Sequence, residues 1–344
     1  MKIIFLSIIC LLFSAFSYSQ EPGNPGGDHT PTVNIDGLLY KLSETTHTAM
    51  VANENTWEGE LVIPEQVNYE GNSYVVNRIE WCAFDNCKTL TKVKIPKTVA
   101  DIRHYAQWED CKNPFDGCTA LESIEVDEGN PNMCSVEGVL FNKDMTRLFC
   151  YPAGARNETY IVPNGVTWLG MDAFARNPYL LSVNMPNSVT YMSGGVYSEC
   201  VNLKTVRLSE SLEYIPAYSF DRCESMKILD IPKSVQGFGE GVFRWTHFEK
   251  IVIRGTFPYG LHYETFYLMD DATILYVQPS EIEKFKNLTT FHGTVLPLEE
   301  YTDVKPIELH QPSYSVFDLQ GRRLDGQPTN KGLYIQNGKK VVVK

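Results

Sequence analysis

Apolar residues recur through the middle of this chain with a long, regular beat. Phe174, Tyr197, Phe220 and Phe243 are each 23 residues apart. Cys200 and Cys223 keep that step, as do Pro163, Pro186, Ser209 and Pro232. Between these posts runs one pattern: apolar-x-apolar-Pro, then Val or Leu, an apolar residue three later, then Phe or Tyr. Residues 182–200, 205–223 and 228–243 read SVNMPNSVTYMSGGVYSEC, TVRLSESLEYIPAYSFDRC and ILDIPKSVQGFGEGVF. A row this short cannot bury its own apolar face, so the rows before and after it must do so. The stretch from Val166 to Thr246 is therefore predicted to stack into a solenoid.

The flanks carry a different text. From Val33, alternating runs are broken by the turn signals Asp36-Gly37 and Glu70-Gly71-Asn72, which predict two hairpins. Their task would be to close the open end of the stack, whose bare strand edge otherwise invites aggregation. Rows begin near Ile79. An inserted pair of strands is expected at Ser135–Phe141 and Arg147–Pro152. Ser280 to Asn287 suggests a short helix, with Ser280 as N-cap and Glu283 as its box partner. A charged, Pro-bearing linker follows at 299–312, then short strands with turns at Gly321, Asp325-Gly326 and Asn337-Gly338.

The Ile-Pro, Ala-Phe and Cys posts, from Arg78-Ile79-Glu80-Trp81-Cys82-Ala83-Phe84 to Phe243, resemble the BspA-type leucine-rich repeats of secreted bacterial proteins. The likeness spans roughly residues 33 to 290. It implies a mainly β protein: a right-handed leucine-rich-repeat solenoid with an N-terminal β-hairpin cap and a short C-terminal β tail. It divides the chain into a signal peptide (1–19), a flexible lead-in (20–32), a β cap (33–77), the solenoid (78–290, with an insertion at about 127–158), a linker (291–312) and a tail (313–344). The tail's DLQGRR, GLYI and NGKKVVVK resemble the C-terminal sorting tail of exported Bacteroidetes proteins, alongside the plainer reading of a small β appendage.

Charge and targeting narrow the setting. A formal net charge of −12 argues against a nucleic-acid partner, which needs a basic face. Lys2, the apolar run Ile3–Phe16 and Ser17-Tyr18-Ser19 read as a secretory signal cleaved before Gln20. Its apolar run is too short for a comfortable span, so no membrane insertion is expected after cleavage. Export allows disulfides. Cys87, Cys118, Cys200 and Cys223, however, each follow an aromatic post by three residues, where a buried free thiol is the better reading. Cys111 and Cys118, flanking a short insertion, are the expected bridged pair.

No catalytic motif holds: there is no H-E-x-x-H, P-loop or G-x-S-x-G, and the seven histidines are scattered. Asp270-Asp271 and Asp127-Glu128 read as solvated turn residues rather than an acid–base pair. Neither cofactor nor metal is expected. One column departs from the resembled pattern. The position before the third apolar post reads Arg78, Asp101, Trp168, Tyr191, Tyr214, Gly237. At strand spacing, Trp168, Tyr191 and Tyr214 would form a ladder about ten ångströms long. Such rings suit sugars or a partner's apolar groups. Equally, they could fold over neighbouring rows. A second column, Lys94, Glu125, Asn184, Arg207, Asp230, suggests cross-strand charge pairing. The functional expectation is a secreted or cell-surface binding scaffold, adhesin-like, for an extracellular protein or glycan. A structural component of the bacterial surface, without a soluble ligand, is the second reading.

Overall fold

The computed structural model describes residues 32–52, 57–102, 113–258 and 260–302, with the backbone of four short strands beyond residue 315. The expected signal peptide, nearly all of the lead-in, and Cys111 lie outside the described residues. Six strands come first: β1 (Thr32–Ile35), β2 (Leu38–Ser43), β3 (Thr48–Val51), β4 (Gly59–Val62), β5 (Gln66–Tyr69) and β6 (Asn72–Ile79). Both expected hairpins form. Asp36 and Gly37 turn β1 into β2 at φ 52° and 92°, and Glu70 and Gly71 turn β5 into β6 at φ 49° and 83°. Five of these strands make one sheet, in the order β1-β2-β3-β6-β5.

The exception is β4. It pairs in parallel with β7 (Leu90–Ile95), which pairs in parallel with β8 (Ser123–Val126). A solenoid rung thus begins inside the stretch assigned to the cap. Leu61 and Ile63, both buried, alternate with outward Glu60 and Val62, so that one face of β4 joins the core. The insertion opens with a hairpin of β9 (Met133–Val136) and β10 (Val139–Asn142). Next, β11 (Arg147–Cys150) runs antiparallel to β10 and parallel to the row that follows, and so serves as the first rung of that face.

Four regular rows then contribute two strands each, and the last three rows one each. One set is β12 (Thr159–Ile161), β14 (Ser182–Asn184), β16 (Thr205–Arg207), β18 (Ile228–Ile231), β20 (Lys250–Ile253), β21 (Ile274–Val277) and β22 (Thr294–Pro297). They form the parallel sheets β12-β14-β16 and β18-β20-β21-β22 of a lateral face. Stacking therefore runs past residue 290, into the stretch read as linker. The other set is β13 (Trp168–Leu169), β15 (Tyr191–Met192), β17 (Tyr214–Ile215) and β19 (Gly237–Phe238), which form the ladder face.

Between β21 and β22 lies the one helix among the described residues, α1 (Ile282–Lys286). It follows a 3-10 turn over Pro279–Glu281, and no side chain caps it. Ser280 is thus inside a turn rather than at an N-cap. Pro279 fixes φ one residue earlier and starts the turn there. Beyond residue 315, β23 (Val316–Phe317), β24 (Arg323–Leu324), β25 (Gly332–Gln336) and β26 (Lys339–Val343) make an antiparallel sheet in the order β24-β23-β25-β26.

The aromatic posts form a continuous spine. Tyr151, Phe174, Tyr197, Phe220, Phe243 and Phe266 stack with successive centroid distances of 5.2, 5.4, 5.5, 6.1 and 5.3 Å. All are buried, and each such ring contributes about 1.5–3 kcal/mol by leaving water. The cysteine column beside the spine consists of free thiols. Cys118, Cys200 and Cys223 each donate to the carbonyl oxygen of the previous aromatic post: Phe84 at 3.0 Å, Phe174 at 3.0 Å and Tyr197 at 3.1 Å. The bridge expected at Cys118 is therefore not formed. Its sulfur points along the stack, where the row geometry supplies an acceptor.

Candidate functional site

On the ladder face, register brings the departing column together. Trp168 pairs with Tyr191 and Tyr214 with Gly237, while Arg147 on β11 pairs with Trp168. Farther up, Arg78 bridges Asp101 in the same parallel sense. Within each two-residue strand the second residue (Leu169, Met192, Ile215, Phe238) points into the core, so the first must point out.

Among the three candidates, the rings divide into a buttress and two presented surfaces. Trp168 is half-buried. Its indole N–H donates to Ser193 Oγ at 3.0 Å, and the Arg147 guanidinium lies 4.0 Å from its ring centroid. Tyr191 meets it edge-to-face at 4.8 Å, a favoured aromatic geometry. Tyr191 and Tyr214 each keep 37 % of their surface exposed. The Tyr214 ring lies over Gly237, where a Cβ would come within 2.8 Å of it. Glycine ends the column because the preceding ring occupies that space. Beside the rings runs a polar column one residue earlier in each row. Thr167, Thr190 and Glu213 are exposed and Gln236 is partly so; the backbone of Thr190 bonds to Thr167 and that of Gln236 to Glu213.

Three members of the Lys94 column make cross-strand ion pairs, with partners the sequence did not name, while Asn184 is buried instead. Lys94 pairs with Glu60 at 2.6 Å and Glu125 with Lys92 at 2.5 Å, while Asp230 takes a bidentate bond from Arg254. Of the acidic pairs, Asp127 and Asp270 each accept a nearby backbone N–H, from Gly129 and Ala272, as turn carboxylates do. No cluster of three metal-ligating side chains occurs among the described residues.

A second exposed patch escaped the sequence reading. It lies on the turns after the aromatic posts, where residues two beyond the post adopt positive φ: Arg176, Glu199, Arg222, Trp245 and Leu268, at 56–60°. Trp245 is 44 % exposed and Leu268 41 %, with exposed Tyr263 and Tyr267 close in sequence. Arg222 reaches over the Trp245 ring at 5.7 Å. The signal was available in the column itself, which changes from charged to apolar at Trp245. Alongside it, Arg244 grips Asp221 with two bonds of 2.9 Å and covers the Tyr218 ring at 4.8 Å. Tyr218 in turn donates its hydroxyl to Glu240. This chain of contacts braces neighbouring rows.

Comparison with solved structures finds other leucine-rich-repeat proteins of bacteria. The pneumococcal vaccine antigen PcpA is 15 % identical, with a TM-score of 0.48, over 78 % of this chain and 98 % of that one. A leucine rich cell surface protein of Faecalibacterium prausnitzii is 17 % identical, with a TM-score of 0.45, over 76 % and 98 %. A leucine-rich repeat protein of Bacteroides ovatus is 24 % identical, with a TM-score of 0.45, over 76 % and 67 %. No curated protein matches the chain. The BspA type leucine rich repeat region matches in six copies, over residues 72–133 and 149–267. That is more than half of the chain, and with the stacked rows, the aromatic spine and the thiol column it places this protein in the BspA-type leucine-rich-repeat family.

Proposed function

We propose that this protein is an exported, non-enzymatic binding scaffold that displays an adhesin-like recognition surface outside the cell. The observation that carries the reading is the pair Tyr191 and Tyr214, held in adjacent rows and each 37 % exposed. Ordinary outward positions on a solenoid need no ring there. Aromatic side chains present a large contact area at low entropic cost, which is why they concentrate in recognition surfaces. Trp168, with its face under Arg147 and its N–H on Ser193, serves to hold Tyr191 in place. The partner is an extracellular protein or glycan. The signal-like N-terminus and the family's occurrence in surface proteins support export. No helix among the described residues is long and apolar enough to cross a membrane. The C-terminal strands fit a sorting tail of the Bacteroidetes kind.

The test is an array of glycans and extracellular-matrix proteins probed with the full chain. The triple change Trp168→Ala, Tyr191→Ala, Tyr214→Ala is run beside it, with circular dichroism as folding control. A hit that disappears in the folded variant supports the reading. A hit that survives moves the site away from the ladder. No hit at all leaves a structural component of the bacterial surface as the better account.

A further inference from the structure

We infer that the ladder face takes a neutral, linear glycan laid along the solenoid axis, an inference that rests on the binding-scaffold reading above. Three observations converge on that ligand class. First, the surface is periodic. Tyr191 and Tyr214 occupy the same position in adjacent rows, each in register with its other neighbour in the column, Trp168 for Tyr191 and Gly237 for Tyr214. A periodic surface is matched by a ligand that repeats. A protein partner with an irregular surface presents no such repeat.

Second, each ring has a hydrogen-bonding neighbour in the same row. Thr190 precedes Tyr191 and Glu213 precedes Tyr214, with Thr167 and Gln236 continuing the column to either side. Each row thus offers one ring edge or face to C–H groups and one polar side chain to hydroxyls. A sugar unit carries both kinds of group on adjoining faces. A purely apolar peptide segment would leave the polar column unpaired, which costs free energy when water is excluded.

Third, charge selects among glycans. Glu213 stands in the middle of the polar column, and the chain as a whole carries −12. Arg147 is stacked on Trp168, at the end of the ladder away from Tyr214. Acidic polysaccharides would meet a carboxylate where they need a cation. Hydroxyl-bearing neutral sugars would find in Glu213 a strong acceptor.

The rings are set before any ligand arrives. Ser193 and Arg147 fix Trp168, Trp168 meets Tyr191 edge-on, and Gly237 leaves room for Tyr214 to lie flat. Such preorganisation lowers the entropic cost of binding.

Isothermal titration calorimetry on the full chain tests the inference. The probes are neutral gluco-, manno-, xylo- and galacto-oligosaccharides of increasing length, with oligogalacturonate as the acidic counterpart. The expected result is binding to a neutral series that strengthens with length and then levels off once the ligand spans the ladder. Tyr191→Ala and Tyr214→Ala should each weaken it about tenfold, with the melting midpoint recorded for each variant. Glu213→Lys, an exposed change that leaves both rings in place, should weaken the neutral ligand and admit oligogalacturonate. Tighter binding of oligogalacturonate by the unaltered protein overturns the inference. So does neutral binding that none of these variants disturbs. If no oligosaccharide binds but a matrix protein does, and the tyrosine variants lose it, the glycan class is wrong while the recognition surface stands. If neither kind of probe binds, both readings fall.

Discussion

Replacing Tyr197 with Phe should stabilise this protein. Tyr197 sits in the aromatic spine where its neighbours are phenylalanines, stacked 5.4 Å from Phe174 and 5.5 Å from Phe220. It is fully buried, and its hydroxyl finds no hydrogen-bond partner among the described residues. Burial pushes its pKa well above the ordinary phenol value, with the Cys200 and Cys223 thiols adding to the shift. A desolvated, unpaired hydroxyl costs about 1–3 kcal/mol. Removing it keeps the ring and both stacking contacts, and gives back a little dispersion where the oxygen was. The net expectation is a gain of about 1 kcal/mol, or about 2–4 °C in melting midpoint for a chain of this size. Tyr197→Ala is the contrast, because it deletes the ring and should cost about 3–5 kcal/mol. Urea titration followed by far-ultraviolet circular dichroism measures both. A loss of 1 kcal/mol or more in Tyr197→Phe would show that the hydroxyl is paired, and the account of this core position would be wrong.

Two further outcomes follow from the same stack. Burial drives the Cys200 thiol and the Tyr40 and Tyr151 phenols up to about 12, and the Cys134 thiol to about 11. Unfolded, these groups titrate near 8.5 and 10. The folded state thus holds more protons above about pH 8.5, and its stability should fall as pH rises toward 12, having been complete below that range. The urea midpoint at pH 8 should exceed that at pH 10.5, and Ellman's reagent should find the column thiols only after unfolding; an unchanged midpoint or rapid native labelling contradicts this. Leu268 holds φ at 57° while 41 % exposed, a conformation that costs an L-residue roughly 1–2 kcal/mol and that Asn tolerates better. Leu268→Asn should raise the melting midpoint, whereas a drop would mean that the leucine is gripped by contacts worth more than the strain.

The row pattern was legible because a solenoid writes its core into the sequence with one fixed period. Phe174, Tyr197, Phe220 and Phe243 had to be buried together once they were in register. The cysteine column was legible for the same reason, and the posts three residues on from Phe84, Phe115, Tyr197 and Phe220 proved to be hydrogen-bonded thiols. What periodicity could not reveal was which strand pairs with which at the interruptions. The alternating text of β4 suits a hairpin as well as a rung, and only the burial of Leu61 and Ile63 against the rows decides between them. Residues 294–297 looked like the start of a linker because Pro297 and the acidic run after it hide a short strand. In the ladder, spacing placed Trp168, Tyr191 and Tyr214 in one column but could not show that Arg147, from an insertion of different length, covers the tryptophan. The patch at Trp245 lies on turns, outside the apolar period that marks the core, and is signalled only by the change from charged to apolar residues there.

Hydroxyl-radical footprinting read by mass spectrometry, with and without a ligand found on the array, tests the central claim most directly. Tyr191, Tyr214, Tyr263 and Tyr267 are all exposed enough to be oxidised, while Tyr151 and Tyr197 are not. The account predicts that bound ligand protects Tyr191 and Tyr214 and leaves Tyr263, Tyr267 and Trp245 as reactive as before. Protection of Trp245 and Tyr267 with the ladder tyrosines unchanged would contradict it and place recognition on the turns.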